Sequence, residues 1–81
     1  MIAFNLLPDA RVLWCLRRTR SDVACVLRLA TMPIEVQIFQ DVELVLTEVF
    51  HEEQLALAWA RSYERRLRDK GWMDSPASRA S

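Results

Sequence analysis

The stretch Ile34–Phe50, IEVQIFQDVELVLTEVF, decides the fold class. Ile34, Val36 and Ile38 alternate with Glu35 and Gln37, the period of two of a half-buried strand. Gln40 and Asp41 supply a hairpin turn, although neither is Gly. The alternation then resumes over Val42–Phe50. Val42, Leu44, Leu46 and Phe50 share one face of that strand, and Glu43, Val45, Thr47 and Val49 share the other. The gap is too short for a parallel crossover, so the two strands pair antiparallel.

Towards the N-terminus, Val23–Ala30 reads as another strand, with Val23, Cys25, Leu27 and Leu29 on one face. Arg20–Asp22 makes a turn. Before it, Arg11–Arg18 has the Val, Trp and Leu content of a pleated surface. Simple alternation sends Leu13 and Cys15 one way and Val12, Trp14 and Leu16 the other. Met1–Pro8 reads as a short extra strand or a loose arm, closed by Pro8 and Asp9.

Towards the C-terminus the period changes. From Glu52 to Lys70 the pattern is helical, with Leu55, Trp59, Tyr63 and Leu67 recurring every fourth residue. Ala56 and Ala60 lie beside them and allow close approach to a sheet. Glu52 and Glu53 suit the positive start of a helix, and Arg68 and Lys70 suit its negative end. Glu64 and Arg68 have the spacing of a favourable ion pair. Gly71 falls where a left-handed cap ends a helix. Trp72 then folds back on the last turn, and residues 73–81 are expected to fray. The expected architecture is α+β: an antiparallel meander of three to four strands, then one long C-terminal helix on one face. The domain spans residues 1–72.

The chain has 81 residues, 52% of them hydrophobic and 27% charged, with one Gly and three Pro. That length supports one modest core and excludes a dinucleotide-binding doubly wound domain or an α/β barrel. The composition is too apolar for wholesale disorder. No run approaches the length of a membrane-spanning helix. The opening MIAFNLLP is too short for a signal peptide and lacks a basic leader, so a cytoplasmic protein is expected, with its two cysteines as thiols.

The charges balance at 11 basic and 11 acidic, but they are segregated. Residues 1–30 hold five Arg and two Asp; residues 31–60 hold six acids and no Lys or Arg; residues 61–81 hold six bases and three acids. Basic ends therefore flank an acidic middle. A dedicated nucleic-acid binder usually shows more excess positive charge.

The run FHEEQLALAWARSYERRLRDKGW, Phe50–Trp72, resembles the end of a group of short uncharacterised bacterial proteins. Those proteins have several strands, then a helix with an alanine–tryptophan pair and a closing glycine–tryptophan, matched here by Ala58–Trp59 and Gly71–Trp72. Asp41–Phe50 is similar to their final strand. They usually carry Gly in the preceding turn and Thr or Ser near the helix start, where this chain has Val42 and His51. The resemblance implies the fold and no activity.

One helix covers one face of a small sheet, yet the N-terminal strands are apolar on both sides. The uncovered face therefore expects Met1–Leu7, a second copy or another protein, with Val12, Trp14, Leu16 and Val26 as the interaction surface. The favoured function is a non-catalytic interaction protein, homodimeric. The alternative is a nucleic-acid binding module using Arg17, Arg18, Arg20 and Arg28, with Trp14 near for stacking.

No catalytic constellation, metal site or cofactor motif is expected. If Arg18 pairs with Asp22, Cys15 falls opposite Cys25, but structural zinc wants four ligands and the only histidine is His51. HEEQL, from His51, lacks the second histidine of the zinc-protease helix. Glu43, Glu48, Glu52 and Glu53 read as solvated acids, since so small a unit has little room for a cleft. The sole glycine, Gly71, cannot build a phosphate loop.

Overall fold

A computed structural model of the chain describes residues 10–29 and 32–75. The elements are β1 (Ala10–Arg18), β2 (Ser21–Arg28), β3 (Ile34–Gln40), β4 (Glu43–Phe50), α1 (Glu53–Asp69) and β5 (Met73–Asp74). The strands form one antiparallel sheet in the order β4-β3-β2-β1-β5. The expected meander and long C-terminal helix are present. The arm or strand expected over Met1–Pro8 lies outside the described residues.

The core lies between sheet and helix. Trp14 and Leu16 of β1, Val23, Cys25 and Leu27 of β2, and Ile34, Val36 and Ile38 of β3 form one buried cluster with Ala56, Ala60 and Trp72. The alanines carry the contact because a side chain of one carbon lets the helix axis approach the sheet. Leu57, Trp59, Tyr63 and Leu67 pack half-buried around them. Leu55, expected on the buried stripe, is 55% exposed, since the helix turns its alanine row rather than its leucine row downwards. The Trp14 indole N–H donates to the Ala60 carbonyl at 3.1 Å, which ties the helix to β1.

Two bulges correct the simple alternation. The β1–β2 register shifts between Val12 and Trp14, so Leu13 is the extra residue. Val12 pairs with Val26 and Trp14 with Cys25, placing Val12 and Trp14 on opposite faces. The β3–β4 register shifts between Ile38 and Phe39. Leu44 opposite Phe39 therefore faces away from the helix, while Leu46 opposite Ile38 faces it.

The helix ends as its sequence dictates. Gly71 takes φ +97, its N–H donates to the Arg68 carbonyl, and the Trp72 N–H donates to that of Leu67. This is the Schellman arrangement. At the other end Glu52, not His51, is the capping residue, and no side chain bonds to the first turn. Residues 73–75 do not fray as expected. Arg17 pairs with Met73 and Leu16 with Asp74, the Ser75 N–H donates to the Cys15 carbonyl, and Arg68 bridges Glu64 and Asp74. Residues 76–81 lie outside the described residues.

The β3–β4 turn sits one residue later than expected. Gln40 pairs with Glu43, and the central residues are Asp41 at φ 50 and Val42 at φ 65. Positive φ at both positions matches the right-handed twist of a hairpin. Asp tolerates this region, but a β-branched residue there is strained by about 1–2 kcal/mol. Replacing Val42 with Gly should therefore raise stability by about 1 kcal/mol in urea unfolding. Gly71→Ala should lower it by a similar ~1 kcal/mol, since an added Cβ meets Arg18 only at ordinary contact distance and the cost is conformational.

Candidate functional site

The four residues expected to form one interaction surface are divided by the Leu13 bulge. Trp14 and Leu16 join the helix-side core. Val12 and Val26 remain together on the opposite face, where Val26 is only 1% exposed. Cys15 and Ala24 pair beside them and are also buried. Val12 is 37% exposed, but most of the exposed apolar area of the described sheet lies along β4. Leu44 is 47%, Val45 49% and Val49 52% exposed. Phe39 and Thr47 lie on the same face as Leu44 and Val49. Among the described residues β4 has a strand neighbour on one side only and forms an edge of the sheet. The signal for this surface was present in the alternation of β4, where Val45, Thr47 and Val49 stand apart from Leu46 and Phe50.

The four hairpin arginines do not form one surface. Arg17 is opposite Asp22 and holds it through two hydrogen bonds, Nε to Oδ1 at 2.8 Å and an amino group to Oδ2 at 3.0 Å. Arg18 projects from the other face, donates to the Lys70 carbonyl at 2.9 Å and stacks over the Trp72 ring at 5.3 Å. Arg28 lies at the far end of β2, and Arg20 occupies the turn. Trp14, expected to be near for stacking, is buried under the helix.

Register also separates the thiols. Because Arg17 rather than Arg18 meets Asp22, Cys15 pairs with Ala24 and Cys25 with Trp14, so the cysteines occupy opposite faces. Both are free thiols. Burial pushes the Cys25 thiol up to about 12, with the Glu64 and Cys15 charges adding to the rise. Burial also raises Cys15, helped by Asp22. Both shifts disfavour the thiolate, the nucleophilic form. His51 is exposed just before the helix, and Glu53 pairs loosely with Arg11 at 3.9 Å. Glu43 and Glu52 are exposed, and Glu48 is half-buried on the helix face opposite Val36. Among the described residues no three His, Cys, Asp or Glu side chains gather where they could hold a metal ion.

A row of aromatics runs along the β4 flank of the helix. Phe50 meets Trp59 with ring centres 6.0 Å apart, Trp59 meets Tyr63 at 5.3 Å, and the Arg66 guanidinium lies 5.3 Å over Tyr63. Tyr63 also stacks on Trp14 at 6.1 Å. Beyond this row Tyr63, Arg66, Leu67 and Lys70 line an open hollow of about 140 Å³. On the opposite flank Leu13, Trp14, Leu57, Ala60, Arg61 and Glu64 line another of about 170 Å³. Both are shallow and open, unlike the enclosed, apolar clefts that bind small molecules.

The two hairpin turns are locked together. The Asp41 carboxylate accepts from the Ser21 hydroxyl at 2.8 Å and from the Asp22 N–H at 2.9 Å. The Asp41 N–H returns a bond to the Asp22 carbonyl at 2.9 Å. Asp22 thus joins β1, β2 and the β3–β4 turn.

No helix among the described residues is long and apolar enough to cross a membrane. Comparisons with protein families, with curated proteins and with solved structures find no match.

The bonds from Arg17 hold the Asp22 carboxyl below the usual carboxylate range, against a smaller opposing effect of burial. A carboxyl depressed in the folded state adds stability above its unfolded value near pH 4, and that stability disappears as pH falls through the folded value. Asp22→Asn should therefore reduce stability at pH 7 and flatten its decline below about pH 4. Urea midpoints measured from pH 7 to pH 2 check this. A slope equal to that of the unaltered chain would contradict the assignment.

Proposed function

We propose that this chain is a non-catalytic interaction protein that works as a homodimer, using the apolar surface of β4. The observation that carries the reading is the half-exposure of Leu44, Val45 and Val49 on a strand with one described neighbour. Long apolar edges are hazards that proteins blunt with charged side chains, Pro or bulges. Glu43–Phe50 contains no Lys, Arg or Pro, and its two acids and its bulge leave Leu44, Val45 and Val49 half exposed. An interface explains why such an edge is retained.

The charge distribution favours a second copy as the occupant. Each chain carries an acidic stretch over residues 31–60 and a basic one over residues 61–81. A two-fold axis lets each copy offer both signs to the other, so that like-charge contacts are avoided. Completing the burial of a half-exposed Val or Leu contributes about 1 kcal/mol before the costs of association. Cys15 and Cys25 are free thiols on opposite faces of the sheet, and unpaired cysteines fit a reducing compartment, which for this reading is the cytoplasm.

Sedimentation equilibrium from about 1 µM to 1 mM tests the proposal. The expected result is a rise from monomer to dimer mass within that range. Val49→Lys should raise the dissociation constant at least about tenfold, roughly 1.4 kcal/mol, with the far-ultraviolet circular dichroism unchanged. A monomer at every concentration would refute the reading.

A further inference from the structure

We propose that two copies of the chain join their β4 strands edge to edge, antiparallel, about a two-fold axis through Thr47. This rests on the homodimer reading and specifies its interface. Among the described residues no strand lies beyond β4, and the donors and acceptors of a sheet edge are satisfied along their length by another extended strand.

The side chains of β4 select the register. Opposed residues in an antiparallel pair share a face of the sheet, so symmetric pairing must be centred on a residue rather than between two. Thr47, opposite Gln37, faces away from the helix, while Leu46 and Glu48, opposite Ile38 and Val36, face it. A centre at Leu46 sets Leu44 against Glu48, which the β4 bulge has sent to opposite faces. A centre at Glu48 places that carboxylate against its own mate, a like-charge pair on adjacent strands. A centre at Val49 leaves most of the strand unpaired. With Thr47 at the centre, Thr47 meets Thr47, Leu46 meets Glu48 and Val45 meets Val49, and the faces first disagree where Leu44 reaches Phe50, one pair further out than for a Leu46 centre. Hydroxyl pairs of this kind and β-branched pairs stabilise adjacent strands.

The helix supplies a complementary charge. Trp59, Tyr63, Arg66 and Lys70 recur at spacings of four, three and four residues and so share one side of α1. Phe50 of β4 packs against Trp59, which identifies this as the β4 side. Arg66 and Lys70 have no carboxylate partner among the described residues. The Thr47 register brings the partner's Glu48 onto the helix face beside Leu46, within the field of this basic flank. The joined sheet then carries the two helices on the same face, antiparallel, with a basic C-terminal half of one towards the acidic start of the other.

Cysteine cross-linking tests the register. A residue on the axis has its mate about 4.5–5.5 Å away between Cα atoms, within the disulfide range. Val49 is offset from its mate by four residues, about 13 Å along the strand, which is beyond that range. Under mild oxidation Thr47→Cys should give a disulfide-linked dimer on a non-reducing gel. Val49→Cys and the unaltered chain, whose two cysteines are buried, should not. Sedimentation of the same samples separates two failures. A dimer by mass in which Thr47→Cys stays uncrosslinked, or Val49→Cys crosslinks as fast, overturns the Thr47 pairing and leaves the homodimer reading standing. A monomer by mass overturns both.

Discussion

The β1 bulge at Leu13 is the constraint on which the arrangement depends. One residue of extra backbone turns Trp14 and Leu16 towards the helix and leaves Val12 and Cys15 on the other face. Trp14 then lies under α1, donates its indole N–H to the Ala60 carbonyl and stacks on Tyr63. Without the shift the largest side chain of β1 would face away from the helix. The helix could still lay Ala56 and Ala60 on the sheet, but the buried hydrogen bond that ties its middle to β1 would be lost. A buried indole needs such a partner, because an unpaired donor there costs about 1–3 kcal/mol.

With the helix committed to that position, the remaining surface follows. The helix-side core absorbs the apolar residues of β1, β2 and β3. β4 lies at the edge of the sheet and gives the helix only Leu46 and Phe50 as apolar partners. Its other apolar side chains stay half in water. The exposed surface is thus a consequence of one helix covering one face of the sheet, as the sequence leads one to expect, but it is placed on β4 rather than on β1.

Much of the fold was legible because its signals are periodic. Ile34, Val36 and Ile38 alternate cleanly and all three are buried. The change to a helical period after Phe50 and the stop at Gly71 mark α1 to within a residue at each end. The candidate surface was less legible because it depended on register. Arg17 and Arg18 are chemically alike, so sequence does not say which of them meets Asp22, yet the choice decides which face Cys15 occupies. Neither bulge leaves a mark such as Gly, and each reverses the alternation beyond it. The Asp41–Val42 turn is set by Ser21 and Asp22 of another hairpin, a contact no local pattern encodes. Met73–Asp74 is too short for any period to show, and its pairing with β1 rests on the Arg68 bridge and the Ser75 backbone bond.

If a second copy pairs along the outer edge of β4, amide hydrogen exchange in that strand depends on protein concentration. A free edge leaves the outward amides of β4 open to solvent, while the inward ones stay bonded to β3. Outward amides between Val45 and Val49 should become protected as concentration rises, while amides of β2, inside the sheet, stay unchanged. Outward β4 amides that exchange at the same rate at every concentration, in a sample whose mass shows dimer, would contradict that pairing.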